Sequence, residues 1–206
     1  MYVEKWEIAS RIKDAVREAC ADQGITQGAI GITFAYPSPY RKLEGYVYPV
    51  DEDGDTAGRD TDGRELGDCA GVVASKTAAV LKSIEYYTAE KKYPGRDKYT
   101  SGALPEEFVG IGRTNWKGGI GIPIGHRIGG GGCGGGCGRR GTHDFTIVVA
   151  VSGGKQEQDE AAAWAALDVL RQVADEDPSF MLARDFWEKY DEVNGEVDKY
   201  VEPDEQ

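Results

Sequence analysis

The sequence predicts an α+β protein with helices packed beside an antiparallel sheet. Segments whose apolar residues recur every three or four positions alternate with short β-branched and aromatic segments. Neighbouring strand segments are close enough in the chain to form hairpins, which favours antiparallel pairing. The 206 residues suffice for one domain with a substantial core, or for two small ones.

The first third of the chain predicts a helix followed by a β-hairpin. Apolar residues recur at helical spacing over 5–23, and Gly24 follows at a position typical of a helix C-terminus. The segment 29–36 is β-branched and aromatic, and 44–50 alternates as its hairpin partner should. The connection between them contains two prolines and is longer than a tight turn.

A long irregular segment then precedes a second helix. Residues 51–68 show no periodicity, which predicts a loop. Its acidic start resembles a calcium loop only superficially, because Gly54 stands fourth where an EF-hand needs glycine sixth. The helix is predicted over 69–92, with an apolar face that Lys76 interrupts.

The second half of the chain predicts two strands and two helices. Pro123 places the first strand at a sheet edge or a strand end, because proline cannot donate a ladder hydrogen bond. Residues 97–114 are irregular, with at most a short helical turn. The predicted elements are a strand at 118–124, a strand at 145–151, a helix at 156–175 and a last helix at 178–192 before an acidic tail.

Charge and hydropathy exclude several classes of partner. The chain has 24 basic and 36 acidic residues and a net charge of −12, which disfavours nucleic acid and anionic membranes. No apolar run approaches the roughly 20 residues that a membrane span requires. The N-terminal ten residues lack the apolar core of a secretion signal. We therefore expect a cytoplasmic protein.

Several motifs in the chain resemble the GlcG/HbpS family, the superfamily of heme-binding proteins and PduO C-terminal domains. The segment Gly118–Ile124 resembles the family's Gly-Gly-Ile-Pro-Ile element. Ser152-Gly153-Gly154 and Glu157–Glu160 resemble the family's Ser-Gly-Gly turn and the Glu-Gln-Asp-Glu start of its last core helix. Upstream, Asp62–Arg64 and Lys76–Ala78 resemble its second helix and the approach to it. The resemblance covers roughly residues 5–170.

The resemblance implies a profilin-like sandwich with a central antiparallel sheet of about five strands flanked by helices. It also implies a homo-oligomer, and heme is the first candidate ligand because several family members bind it. The chain also departs from the family's pattern. No histidine precedes His126, whereas heme-binding members tend to supply an axial histidine from near the first helix. We predict a family domain over 1–175 with a glycine-rich insertion at 125–143, and a helical extension with an acidic tail over 176–206.

The glycine-rich insertion supports two kinds of binding site. A tetrahedral metal or heme-iron site would use thiolates and imidazoles, although their spacing matches no strong zinc signature. Alternatively, consecutive glycine amides form an anion nest with nearby arginines. A flexible loop or an oligomer contact is the plain alternative. The predicted metal ligands are His126, Cys133, Cys137 and His143, and the predicted anion ligands are Arg127, Arg139 and Arg140.

The family motifs supply a second set of candidate site residues. Lys76 and Arg64 could line a pocket, and Asp159 could act in acid–base chemistry. The plain alternatives are a lysine at the edge of the apolar face and an aspartate that suits the helix dipole. Gly118 and Gly119 complete the predicted ligand-binding residues.

The sequence thus predicts a small-molecule-binding protein. The ligand carries a carboxylate, with heme or a related tetrapyrrole first among the candidates, and redox or degradative chemistry is an associated possibility. One alternative is a cofactor-independent isomerase, lyase or cyclase that uses the family pocket. Another is an oligomerising accessory subunit without chemistry.

Overall fold

The computed structural model describes residues 4–36, 42–54, 57–59, 65–89, 98–110, 112–126, 142–177 and 180–182. The helices of this part are α1 (Lys5–Asp22), α2 (Cys69–Ala89) and α3 (Gln156–Glu176). Its strands are β1 (Ala29–Ala35), β2 (Leu43–Pro49), β3 (Ala57–Arg59), β4 (Glu65–Asp68), β5 (Gly119–His126), β6 (Thr142–Ser152) and β7 (Phe180–Leu182). Two short 3-10 helices lie at Ser101–Ala103 and Glu106–Phe108.

Five of the described strands form one antiparallel sheet in the order β2-β1-β6-β5-β7. The central strand β6 pairs with β1 through Gly31↔Ala150 and with β5 through Gly119↔Ala150. Residues 145–151 of β6 are apolar except for Thr146, as expected for a strand covered on both faces. The prediction of an α+β protein with about five antiparallel strands is confirmed.

Helices cover both faces of this sheet. Alternate residues of β1, among them Ile30 and Ile32, enter one apolar core with α1 and α3. Gly31, on the opposite face, lies against Val73 of α2. The helices α1 and α3 run antiparallel, joined by the 2.7 Å Arg11–Glu176 ion pair at one end. The described helices and the sheet therefore form three layers, in which α2 is the one described α-helix on its side of the sheet.

Small residues bring α2 close to the sheet. A Cβ on Gly31 would lie 2.1 Å from Cγ1 of Val73, and one on Gly121 would lie 2.8 Å from Cγ1 of Val80. Both positions would overlap, because real Cβ atoms stay more than 3 Å from such neighbours. The glycines of β1 and β5 thus act as sites of close helix–sheet packing.

The helix predictions for α1, α2 and α3 agree with the structure to within a few residues, and the predicted β1–β2 hairpin is present. The loop prediction for 51–68 is wrong in part, since β3 and β4 form a two-stranded ribbon there. Pro123 lies in β5, which is not an edge strand over its whole length. Among the described residues β7 pairs with β5 only at 124–126, so no strand faces Pro123 on its outer side.

Two of the predicted segments include residues that pair in the sheet. The strand β7 lies inside the predicted helical extension, because Phe180 and Leu182 alternate into the core beside β5. The predicted insertion also begins and ends in strands, since the backbones pair as Gly125↔His143 and His126↔Thr142. The rest of the insertion and of the acidic tail lies outside the described residues.

Within the described part of the chain, no helix is both long enough and apolar enough to cross a membrane. Cys20 and Cys69 are free thiols in the interior. Burial raises the pKa of both, to about 12 for Cys20, which disfavours the reactive thiolate. Both pack in the interior as small apolar residues.

Candidate functional site

A buried ion pair joins α2 to α3 across the sheet. The Lys76 ammonium lies 2.8 Å from Oδ2 of Asp159, and the two side chains are 2% and 4% exposed. Because α2 and α3 pack on opposite faces, the lysine side chain passes the end of β5 to reach its partner. Sequence reasoning selected both residues, and the structure brings them together.

Hydrogen bonds stabilise the charges of this pair. Lys76 also donates to the carbonyl oxygen of Val151 at 2.7 Å, and the Gly154 amide donates to Oδ1 of Asp159 at 2.8 Å. Burial lowers the pKa of Lys76 and raises the pKa of Asp159, and their mutual attraction offsets part of both shifts. Neither charged group is accessible to a dissolved substrate, so the geometry assigns the pair to helix positioning.

Gly118 makes room for the ion pair. Its φ of +105° favours glycine, and a Cβ there would lie 2.6 Å from Cβ of Asp159 and 2.7 Å from Nζ of Lys76. A Cβ on Gly119 would lie 3.1 Å from Cβ of Lys76. Both glycines that were predicted to bind a ligand therefore pack against this pair.

A surface groove lies beside the pair, between α2 and the segment 109–116. Its volume is about 470 Å³, within the general range of ligand pockets. Among the described residues, Val109 and Trp116 are two of the five large apolar side chains left exposed, at 39% and 51%. The groove is lined by Asp68, Gly71, Val72, Ser75, Val109, Arg113, Thr114, Asn115 and Trp116.

The first two turns of α2 form one wall. Asp68, Gly71, Val72 and Ser75 share a face because they are spaced by three and four residues. Asp68 directly precedes the helix, and its Oδ1 accepts a 3.1 Å hydrogen bond from the Ala70 amide. This contact satisfies one of the amides that a helix N-terminus leaves unpaired.

A tight turn builds the opposite wall. The Arg113 amide donates to the Gly110 carbonyl oxygen at 3.0 Å, and Gly112 has φ +74°. A positive φ at the third position is what a type II turn requires, and glycine supplies it without strain. The turn is followed at once by the Trp116 amide donating to Oγ1 of Thr114 at 3.2 Å. The turn thus sets the position from which the Arg113 side chain extends.

The end of this wall is tied to the ion pair. Oγ of Ser101 donates to the Trp116 carbonyl oxygen at 2.5 Å and accepts from the Gly119 amide at 3.0 Å. The Lys117 amide donates to Oε1 of Gln156, the first residue of α3, at 3.0 Å. The segment that carries Trp116 is therefore held by the same helix start that holds Asp159.

Arg113 lacks the partners expected of a half-buried guanidinium. Its Nε is buried and has no hydrogen-bond partner. Among the described residues its guanidinium forms no ion pair either. A buried donor left unpaired costs about 1–3 kcal/mol, so this atom requires an explanation.

The remaining predicted site residues are not brought together by the described structure. His126 and His143 occupy adjacent strands at the sheet end from which the glycine-rich segment leaves, and only their backbones are described. No group of three potential metal ligands occurs among the described residues. Arg64, Arg127, Cys133, Cys137, Arg139 and Arg140 lie outside the described residues.

No protein-family profile matches the chain. No curated protein matches it either. A solved structure titled "Crystal structure of Ybr137w protein" is similar over 80% of this chain and 78% of that chain, with 15% sequence identity and a TM-score of 0.42. That similarity carries no argument here. The resemblance to the GlcG/HbpS family stays a prediction.

Sequence reasoning missed the groove. Arg113, Asn115 and Trp116 fall in and after a segment that shows no periodicity, and Asp68 looked like the end of an acidic loop. One local signal existed. Gly110 and Gly112 mark a turn immediately before an arginine, an asparagine and a tryptophan, and such side chains recur in binding sites.

Proposed function

We propose that the protein binds a small molecule with a carboxylate in the groove between α2 and 109–116. The observation that carries the proposal is Arg113, which lines the groove and has no ion-pair partner among the described residues. A carboxylate accepts two parallel hydrogen bonds from a guanidinium, which matches the fork of donors that arginine presents. A ligand carboxylate would therefore supply the counter-charge that the described residues do not.

The rest of the groove favours a ligand with an apolar body. Val72, Val109 and Trp116 provide apolar surface, and the indole is a face on which a flat group can stack. Ser75 and Asn115 add a hydroxyl and an amide that can fix orientation. Apolar walls with a few polar groups are the usual composition of a small-molecule site.

Heme fits this groove only in part. Arg113 suits a propionate and Trp116 suits a flat ring, but the nine lining residues include no histidine, cysteine, methionine or tyrosine for an axial bond to iron. The groove by itself therefore does not fit the iron. Heme ligation by His126, His143, Cys133 or Cys137 stays a prediction, which hemin titration and an absorption spectrum test directly.

We also propose a cytoplasmic homo-oligomer. The support for assembly is the resemblance to the GlcG/HbpS family, and the support for location is that Cys20 and Cys69 are free thiols, as is usual in a reducing compartment. Light scattering of the purified chain measures the oligomeric state, and a monomer at micromolar concentration would refute that part.

Calorimetric titration of 3-phenylpropionate tests the groove. The acid should bind, whereas 3-phenyl-1-propanol, which has the same apolar body without the charge, should bind at least about tenfold more weakly. Arg113→Gln should lower the affinity for the acid by about 10- to 100-fold, because the charge-assisted hydrogen bonds are lost. Arg171→Gln on α3 is the matched control and should leave the affinity unchanged. Equal binding of the acid by Arg113→Gln and the unaltered protein would overturn the proposal.

A further inference from the structure

The groove holds two opposite charges that do not neutralise each other. Asp68 and Arg113 both line it, yet within the described part of the chain they form no ion pair. Oδ1 of Asp68 caps α2 through the Ala70 amide, and its other carboxylate oxygen has no partner among the described residues. The exposed Asp68 carboxylate and the half-buried Arg113 guanidinium therefore line one groove without contacting each other.

The contrast with the ion pair behind the groove is informative. Where Lys76 and Asp159 leave water, they contact each other at 2.8 Å and take further backbone hydrogen bonds. In the groove, Arg113 buries its Nε without any such compensation. Separated charges of opposite sign on facing walls suit a ligand that carries the complementary charges itself.

We propose that the ligand is a small zwitterion of the amino-acid class with an apolar or aromatic side chain. This inference rests on the proposed function and names its substrate class. The ligand carboxylate binds Arg113, its ammonium group binds Asp68, and its side chain lies along Val109 and Trp116. Ser75 and Asn115 hydrogen-bond the remaining polar atoms.

The charge of the whole protein supports a zwitterion over a simple anion. The net charge of −12 opposes the approach of a molecule with excess negative charge. A ligand without net charge avoids this repulsion. The apolar walls then favour amino acids such as phenylalanine or leucine over charged ones.

The test compares three ligands of one shape by calorimetric titration: L-phenylalanine, 3-phenylpropionate, which lacks the ammonium group, and 2-phenylethylamine, which lacks the carboxylate. Phenylalanine should bind about tenfold more tightly than either. Asp68→Asn keeps a residue that caps helices well. It should remove most of the advantage of phenylalanine over 3-phenylpropionate without weakening 3-phenylpropionate. Asp168→Asn on the surface of α3 is the control and should change neither affinity.

The outcomes separate this inference from the proposed function. If 3-phenylpropionate binds through Arg113 but phenylalanine binds no more tightly, the zwitterion is refuted and carboxylate binding stands. An advantage of phenylalanine that survives Asp68→Asn also refutes the inference. If neither acid binds, both proposals fail.

Discussion

Replacing Lys76 by methionine should destabilise the protein strongly, because it leaves the Asp159 carboxylate buried without its counter-charge. The pair is 2% and 4% exposed, so little solvent is available to compensate. Breaking a buried pair at one partner costs about 3–5 kcal/mol. The Gly154 amide still donates to Asp159, so we expect the lower end, about 3 kcal/mol.

The free energy of unfolding from urea titrations measures this cost. For a chain of this size, 3 kcal/mol corresponds to a fall of roughly 6–12 °C in Tm. Lys82→Met on the same helix is the control. The Lys82 ammonium contacts Glu85 at 3.2 Å and lies 5.3 Å from the centre of the Phe108 ring, so its loss should cost less than about 1 kcal/mol.

A double variant and a change of pH show whether charge is the cause. Lys76→Met with Asp159→Asn should recover at least about 1 kcal/mol, because the orphaned charge is gone and the amide oxygen still accepts from Gly154. Burial raises the pKa of Asp159, and a group whose pKa is raised in the folded state destabilises the fold as pH rises. The loss in free energy of unfolding caused by Lys76→Met should therefore be smaller at pH 4.5 than at pH 7.5. A single variant that costs under about 1 kcal/mol, or a double variant no more stable, would refute the reasoning.

Two other perturbations test the packing and the surface charge. Gly31→Ala places a Cβ 2.1 Å from Val73 and should cost about 1–3 kcal/mol in urea titrations, whereas Gly110→Ala enters open space and should change little. A cost for Gly31→Ala equal to that of Gly110→Ala would contradict the close packing of α2. Hydrogen bonds from Lys42 and Lys5 lower the pKa of Glu44 to about 2, so its stabilising effect is present above its ordinary value of 4.5 and is lost as pH falls toward 2. The urea midpoint of Glu44→Gln should therefore approach that of the unaltered protein between pH 5 and pH 2.5, and a constant difference would contradict this.

The helices and the central strands could be predicted because their signals are local. The apolar spacing of α1 and α3 and the continuous β-branched run of β6 need no knowledge of distant contacts. The strand β7 could not be predicted. Phe180–Leu182 is three residues long, and its extended form depends on pairing with β5.

The motifs that carry the family resemblance lie where parts of the fold pack closely against each other. A Cβ on Gly153 would lie 2.2 Å from the Gln27 carbonyl oxygen, so the Ser-Gly-Gly turn is needed for close backbone packing. Gln158 accepts from the Lys155 amide and donates to the Gln23 carbonyl oxygen. These contacts join the start of α3 to the end of α1. The motifs therefore have a structural role, which is why they predicted the fold and did not predict the groove.

The groove was hidden because its walls come from two places in the chain. Asp68 and Arg113 are 45 positions apart and show no common pattern. Their relation depends on where α2 packs and on the turn at Gly112, neither of which has a periodic signature. The selected pair Lys76–Asp159 was found because both residues belong to recognisable motifs.

A crystal structure of the complex with 3-phenylpropionate tests the central claim most directly. We predict that the carboxylate lies within hydrogen-bond distance of the Arg113 guanidinium, with the phenyl ring against Trp116. Binding of the acid at any other place on the protein, with Arg113 still unpaired, would contradict the account.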